Sequence, residues 1–456
     1  MSTGSKILIA VLVVGAAGLL LVAVLAVGGF FFYAQTARHE ATKSQRAAME
    51  AEMEARAAVI ERAAAAAEKA QAETAQAEKA QAEKVQAEDA GARESPAAPA
   101  ALAAGSPWGA QDARPVAERR KEAIAKAAAF LFKEQAADGS WGQGNVGITA
   151  LCTDALVAAG RTLKEEPVRR AIEFILKAQK DDGGIYDDVG LKNYSTSVAL
   201  MVLVEADAKA YAEPIKKATE YLKTSQWDEN ESIDRTNPWY GGAGYGKHGR
   251  PDLSNTQYFV EAMHRAGVPK DDPLWAKVVV FVSRTQDRSE SNDSLFVGTD
   301  SGGMIYTPHK GGESMAGTVD LPDGKKGLKA YGSMTYAGFK SFIYADLGGD
   351  DPRVRAALDW IRKHWTFEEN PELGQQGLFY YYQTAAKALK AWSDLSGEKT
   401  VMDARRRLHD WRTELSEAVL KRQKADGSWG NDADRWYEGY PPVPTSYAIT
   451  ALAQCE

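Results

Sequence analysis

The side chains best suited to chemistry in this chain are aromatic and hydroxylic. Tyr240, Tyr245, Tyr306, Tyr331, Tyr336, Tyr380, Tyr381, Tyr382, Trp436, Tyr440 and Tyr447 fall in turns or near the starts of apolar helical segments. Such rings bury apolar chains and stabilise cations through their faces, at about 0.5–2 kcal/mol per contact. Tyr380, Tyr381 and Tyr382 are about 100° apart on a helix, so part of this set must pack helix against helix instead. Carboxylates offer a second chemistry. Asp252, Asp300 and Glu313 stand in or beside Gly-rich loops that also hold His248 and His309, and paired carboxylates would suit glycoside hydrolysis, although no spacing singles out a pair. The two cysteines, Cys152 and Cys455, are too few for a disulfide framework or a zinc site, and Cys152 reads as a small core residue. No metal or cofactor is expected. With 55 Lys+Arg against 62 Asp+Glu, a net charge of -7, there is no electrostatic footprint for nucleic acid.

A repeat positions these residues. Gln135-Ala-Ala-Asp138-Gly-Ser-Trp141 and Gln423-Lys-Ala-Asp426-Gly-Ser-Trp429 are near copies 288 positions apart. Each reads as the end of an amphipathic helix, an Asp-Gly turn with positive φ, and an aromatic that packs back. Weaker copies start at Gln179, Gln226 (followed by Gly244-Tyr245), Gln286 (followed by Gly302 to Tyr306) and His364-Trp365 (followed by Gly377 to Tyr380). After each comes a second helix opening on small or hydroxylated residues, at Thr149, Ser195, Ser254, Ser333, Gln383 and Thr445. Six copies of two helices predict an all-α fold, an (α/α)6 toroid of six helix pairs over residues 108–456, with six helix starts around one cavity mouth.

Gln-x-x-Asp-Gly-Ser-Trp resembles the QW repeat of the squalene and oxidosqualene cyclases and of the related protein prenyltransferase β subunits. The resemblance implies a toroid with a deep apolar cavity for an isoprenoid, often at a membrane, and implies that Gln135, Trp141, Gln179, Gln423 and Trp429 tie neighbouring helix pairs together. It also implies a place for catalysis. Cyclases of the squalene-hopene type protonate an alkene with the middle Asp of Asp-x-Asp-Asp-Thr, and the matching stretch here is Asp252-Leu-Ser254-Asn255-Thr256. Serine cannot protonate an alkene, which needs a neutral, aimed carboxylic acid in a dry cavity. Asp252 is left as the candidate acid. Tyr245, Ser254, Asn255, Tyr306, Tyr336, Tyr380 and Tyr447 are the candidate ligand-binding residues. The Asp-x-Cys of the zinc-dependent prenyltransferases is missing. Three readings follow: a terpene cyclase-like toroid that binds an apolar isoprenoid-like ligand, a non-catalytic scaffold for a protein or lipid partner, and a glycan-processing (α/α)6 enzyme.

The region before the toroid has its own logic. Residues 7–34 carry no charge over 28 positions, enough at about 1.5 Å per residue to span the ~30 Å hydrocarbon core, so 1–34 reads as an uncleaved transmembrane anchor in a bacterial cell membrane. Phe30, Phe31, Phe32 and Tyr33 suit an interfacial belt. Lys6 on one side against Arg38, Lys43 and Arg46 on the other leaves the side of the toroid undetermined. Residues 35–92 are built of strong helix formers, with Gln-Ala-Glu at Gln71, Gln76, Gln81 and Gln86. This five-residue period keeps no apolar stripe, so the reading is a long helical spacer, with a coil that binds a protein partner as the alternative. Residues 93–107 form a Pro/Ala linker.

Overall fold

A computed structural model describes residues 114–188, 191–246, 249–294 and 298–456. The expected anchor, spacer and linker, and His248, lie outside these residues. Among the described residues no helix is long and apolar enough to cross a membrane.

Twelve α-helices, two small hairpins and short 3-10 turns make up the described chain. One set is amphipathic: α1 (Val116–Glu134), α3 (Glu166–Lys177), α5 (Ala212–Lys223), α7 (Pro273–Thr285), α9 (Pro352–Lys363) and α11 (Trp411–Leu420). In α3 the buried residues are Val168, Ala171, Ile172 and Ile175, the i, i+3, i+4, i+7 stripe of a helix with one face in water. Asp272 and Asp351 cap α7 and α9 through the amides of Leu274 and Arg353, each with proline at the first helical position, where its missing N–H costs nothing. The other set is α2 (Val146–Ala158), α4 (Lys192–Asp207), α6 (Leu253–Arg265), α8 (Gly332–Tyr344), α10 (Leu378–Ser396) and α12 (Pro442–Ala453). These are buried on nearly every face, as helices enclosed by others must be. Each packs on the inner helix before and after it, and α12 packs on α2 while α11 packs on α1, so both rings close. The six-pair toroid expected from the repeats is the architecture.

The repeat residues make the joints. Gln135 Nε2 donates to Gly139 O in its own turn and to Pro167 O at the start of the next outer helix, both at 2.9 Å. Gln179 does the same to Gly183 O and Pro214 O, Gln226 to Gly241 O and Leu274 O, and Gln286 to Gly302 O and Arg353 O. Gln423 closes the ring on Gly427 O and on Ala123 O of α1, at 3.0 and 2.9 Å. The third turn therefore pivots on Gly241, not on the Gly244 expected. Where the glutamine is lost, Trp365 Nε1 reaches Glu414 Oε2 on α11 at 3.0 Å, and His409 holds the same carboxylate at 2.8 Å. The glycine is required: Gly139 has φ +91°, and a Cβ there would stand 2.5 Å from Arg170 O.

Thr149 and Thr445, expected to open their helices, are not caps. Thr149, Thr196, Thr256, Thr335 and Thr445 sit inside the helices, and each hydroxyl accepts from the turn amide of Trp141, Ile185, Ala243, Met304 or Trp429, at 3.0–3.1 Å. Likewise α10 starts at Leu378, five residues before Gln383. The two antiparallel hairpins, Thr318–Asp320 with Lys326–Leu328 and Val401–Met402 with Leu408–His409, were not expected, because strands of two or three residues carry no readable alternation.

Gln423→Leu removes the ring-closing hydrogen bond to Ala123 O and the turn bond to Gly427 O at a buried position and should lower the unfolding free energy by about 1–3 kcal/mol in denaturant titration. An unchanged midpoint would mean that the clasp contributes nothing to closure.

Candidate functional site

The inner helices start around one opening, and all six contribute to a cavity of 280 Å³ there. Asn145, Ile148 and Leu151 come from the start of α2, Leu191 and Tyr194 from α4, Ser254, Asn255 and Tyr258 from α6, Tyr331, Ser333 and Met334 from α8, Tyr380 from α10, and Val443 and Tyr447 from α12. Tyr245, Tyr306, Met315, Trp436 and Tyr437 complete the wall from the loops. No Asp, Glu, Lys, Arg or His is among these residues. The volume falls just below the roughly 300–1,000 Å³ of small-molecule sites, and the apolar, aromatic lining with a few neutral polar groups is of the usual kind.

The aromatic wall is an ordered cluster. Tyr194 meets Tyr258 edge-on with ring centres 4.8 Å apart, and Tyr380 meets Tyr447 edge-on at 5.9 Å. Gln383 Nε2 donates to Tyr258 Oη at 2.8 Å, Gln257 Nε2 to Tyr380 Oη at 3.3 Å, and Tyr380 Oη lies 2.9 Å from Ser254 Oγ. Burial raises the phenol pKa throughout this cluster, so the hydroxyls remain neutral donors at physiological pH.

Asp252 is not among the described lining residues but is bonded to one of them. It is the N-cap of α6: Oδ1 accepts from Asn255 N and Oδ2 from Asn255 Nδ2, both at 2.8 Å. Its exposure is 1%. Burial pushes its carboxyl up to about 6, against the opposing pull of Asn255, Tyr306 and Arg250. Both oxygens are thus engaged by Asn255, itself a cavity-lining residue.

The structure therefore brings Tyr245, Ser254, Asn255, Tyr306, Tyr380 and Tyr447 together around one cavity, with Asp252 hydrogen-bonded to Asn255. Tyr336 is elsewhere. It is buried in the helix packing against Tyr381, at 5.6 Å between ring centres, because its place in the second turn of α8 turns it between helices. Tyr381 and Tyr382 also face away, donating to Thr366 O and Phe367 O. The glycan-type candidates do not converge: Asp300 Oδ1 accepts from Ser289 N on an exposed loop, Glu313 pairs with Arg250, and His309 Nδ1 accepts from Trp239 Nε1 at 2.9 Å. Burial lowers the His309 pKa, with Arg250 and Lys310 adding to it. Among the described residues no His, Cys, Asp and Glu gather as a metal site, and burial pushes the Cys152 thiol up to about 12.

Two features escaped the sequence. Glu438 is wholly buried and accepts from Tyr380 N at 2.8 Å and Asn431 Nδ2 at 2.7 Å, capping α10, with burial pushing its carboxyl up to about 7. Below the cavity, Asp154, Glu261, Lys340 and Lys387 form a buried ionic layer with Arg265. Glu261 holds Lys340 at 2.5 Å and Lys387 and Arg265 at 2.8 Å, and Arg265 reaches Asp154 at 3.2 Å. The spacing of these charges from the helix starts, eight or nine residues in α2, α6, α8 and α10, was the available signal.

Residues 143–307 match the sequence profile of the squalene-hopene cyclase C-terminal domain. Among solved structures the chain is similar to a variant of the type II terpene cyclase MstE from Scytonema in complex with its substrate geranylgeranyl dihydroxybenzoate, with 13% identity over 75% of this chain and 98% of that chain and a TM-score of 0.48. It is similar to another MstE variant with the product merosterolic acid A, with 14% identity, 75% and 98% coverage and a TM-score of 0.46. A family 76 glycoside hydrolase from a bovine Bacteroides thetaiotaomicron strain shares the fold at 9% identity, 74% and 77% coverage and a TM-score of 0.50. The chain thus carries a squalene cyclase-like α/α toroid.

The buried Asp252 has a testable linkage. Its folded-state pKa is raised, so its contribution to stability is full below about pH 4 and is lost as pH rises through about 6. Asp252→Asn keeps a capping side chain without the charge. The stability of the variant relative to wild type should therefore grow between pH 4 and pH 8, by up to about 3 kcal/mol. A difference independent of pH would contradict the buried setting of the carboxyl.

Proposed function

We propose that this toroid binds an apolar, isoprenoid-like ligand in the tyrosine-lined cavity. The observation that carries the reading is the cavity itself: all six inner helices line it, its wall is aromatic and aliphatic, and its polar groups are neutral. An apolar chain gains about 25 cal/mol per Å² buried in such a place, whereas a diphosphate or a sugar would find no charged side chain among the described lining residues. The match of residues 143–307 to the squalene-hopene cyclase domain agrees with this class of ligand. On this reading residues 7–34 hold the protein at a bilayer, where such ligands reside.

Proton-initiated cyclisation is the second reading, and one observation favours it: the buried Asp252 has the raised pKa of a candidate acid. Against it, Ser254 occupies the place of the expected donor, and both oxygens of Asp252 accept from Asn255. Binding without this chemistry accounts for both.

Mass spectrometry of organic extracts from the purified full-length protein tests the proposal. Wild type should carry a polyprenoid or terpenoid that is absent from a mock purification and strongly depleted in Met334→Trp, whose indole would fill the cavity while circular dichroism reports an intact fold. Asp252→Asn should retain the ligand unchanged, whereas loss of a cyclised product in that variant would favour the second reading. Bulk phospholipid alone, equal in all samples, would overturn the isoprenoid assignment.

A further inference from the structure

The polar contacts at the cavity floor have a direction, and it is set by a buried ammonium group. Lys340 on α8 is 1% exposed, and its Nζ donates to Glu261 Oε2 and, at 2.6 Å, to Gln257 Oε1. An ammonium has donors and no acceptor, so it admits only the carbonyl end of the Gln257 amide. The NH2 end of Gln257 must then point the other way, where Nε2 donates to Tyr380 Oη at 3.3 Å. With its oxygen accepting from Gln257, Tyr380, the more acidic hydroxyl of the pair, is assigned as the donor across the remaining contact, to Ser254 Oγ at 2.9 Å. Among the described residues Tyr380 is the hydrogen-bond partner of the Ser254 hydroxyl, which lines the cavity. Its proton has the cavity to point into.

The direction is firmly held. Lys340 belongs to the layer in which Lys340, Lys387 and Arg265 meet Glu261 and Asp154, three cations against two carboxylates. Reversing the Gln257 amide would set NH2 against this cationic centre and leave Tyr380 Oη facing a carbonyl. Each step from Lys340 to Ser254 therefore passes on a single polarity across α8, α6 and α10.

We propose that Ser254 presents a hydrogen-bond donor to the ligand, and that the ligand is an isoprenoid carrying an oxygen acceptor, such as a carbonyl, ether or ester oxygen, placed against it. The inference rests on the cavity being the isoprenoid site and names the chemistry of that ligand. Lys340 and Gln257 are positioning residues in this scheme: neither lines the cavity, and they act through Tyr380. A hydrocarbon would leave the Ser254 proton unpaired in a desolvated wall, so the site distinguishes an oxygenated from an unoxygenated chain of the same length.

The test uses the full-length protein and two probes of similar length, the isoprenoid ketone geranylacetone and the hydrocarbon β-farnesene, with bound probe quantified by gas chromatography after equilibration. Wild type should prefer the ketone by about five- to tenfold, the worth of one neutral hydrogen bond. Ser254→Ala should abolish the preference while leaving the hydrocarbon affinity and the melting temperature nearly unchanged. Gln257→Met should also reduce the preference although Ser254 is intact, a result that loss of packing alone would not give, since it would weaken both probes together. A ketone preference that survives Ser254→Ala, or no preference in wild type while both probes bind, would overturn the donor assignment and leave the cavity reading standing. Failure of both probes to bind wild type would overturn the cavity reading and this inference with it.

Discussion

A glutamine amide has two N–H donors on one planar group, and in this protein it uses them to hold two backbones at a fixed separation. At five of the six joints the side chain at the end of an outer helix donates once into its own turn and once to the first turns of the next outer helix. Because a buried carbonyl left without a partner is costly, and because the turn glycine admits no Cβ against the neighbouring backbone, the step between pairs has little freedom. Six such steps return the chain to its start, and Gln423 bonding to Ala123 is that return. The sixth joint uses Trp365, Glu414 and His409 in place of glutamine, so the constraint is a bridging donor rather than one residue type.

Closure has an electrostatic consequence. Inner helices held in a ring leave no side of themselves in water, so polar side chains on them must satisfy one another. Asp154, Glu261, Arg265, Lys340 and Lys387 do so one layer below the cavity. Three neighbouring cations hold the Glu261 carboxyl well below the usual range despite its burial, while burial brings Lys340 down to about 8. Replacing one member would leave the others buried and uncompensated, a larger cost than the net worth of the pairs. Above this layer the described cavity lining is aromatic, aliphatic and neutral polar, and the buried carboxyls of Asp252 and Glu438 serve the helix starts. The cavity is thus neutral while its floor is polarised.

Much of the fold was legible in the residues. Gln135, Trp141, Gln423 and Trp429 with their Asp-Gly turns disclosed the repeat, and a repeat whose units cannot bury their faces alone must stack and close. The site was legible in part. Tyr245, Ser254, Asn255, Tyr306, Tyr380 and Tyr447 could be named because a toroid turns its helix starts toward one mouth, whereas Tyr336 could not be told from them, since one turn of helix decides whether a ring faces the cavity or the neighbouring helix. Asp252 was visible as a carboxylate, but its role as a cap bonded twice to Asn255 depends on side-chain geometry.

What the sequence by itself determined about this protein is the repeat, the helical class and the absence of a second Asp at position 254, because these are properties of local spacing and residue type. What only the tertiary structure decided is which groups meet across distant segments: Glu438 beneath Tyr380, Glu261 between Lys340 and Lys387, and the relay from Lys340 through Gln257 to Ser254. Those contacts join residues 58 to 126 positions apart, and no local pattern encodes them. They exist because ring closure brings the middles of four different helices to one level and leaves their charged and hydrogen-bonding groups no partner but each other.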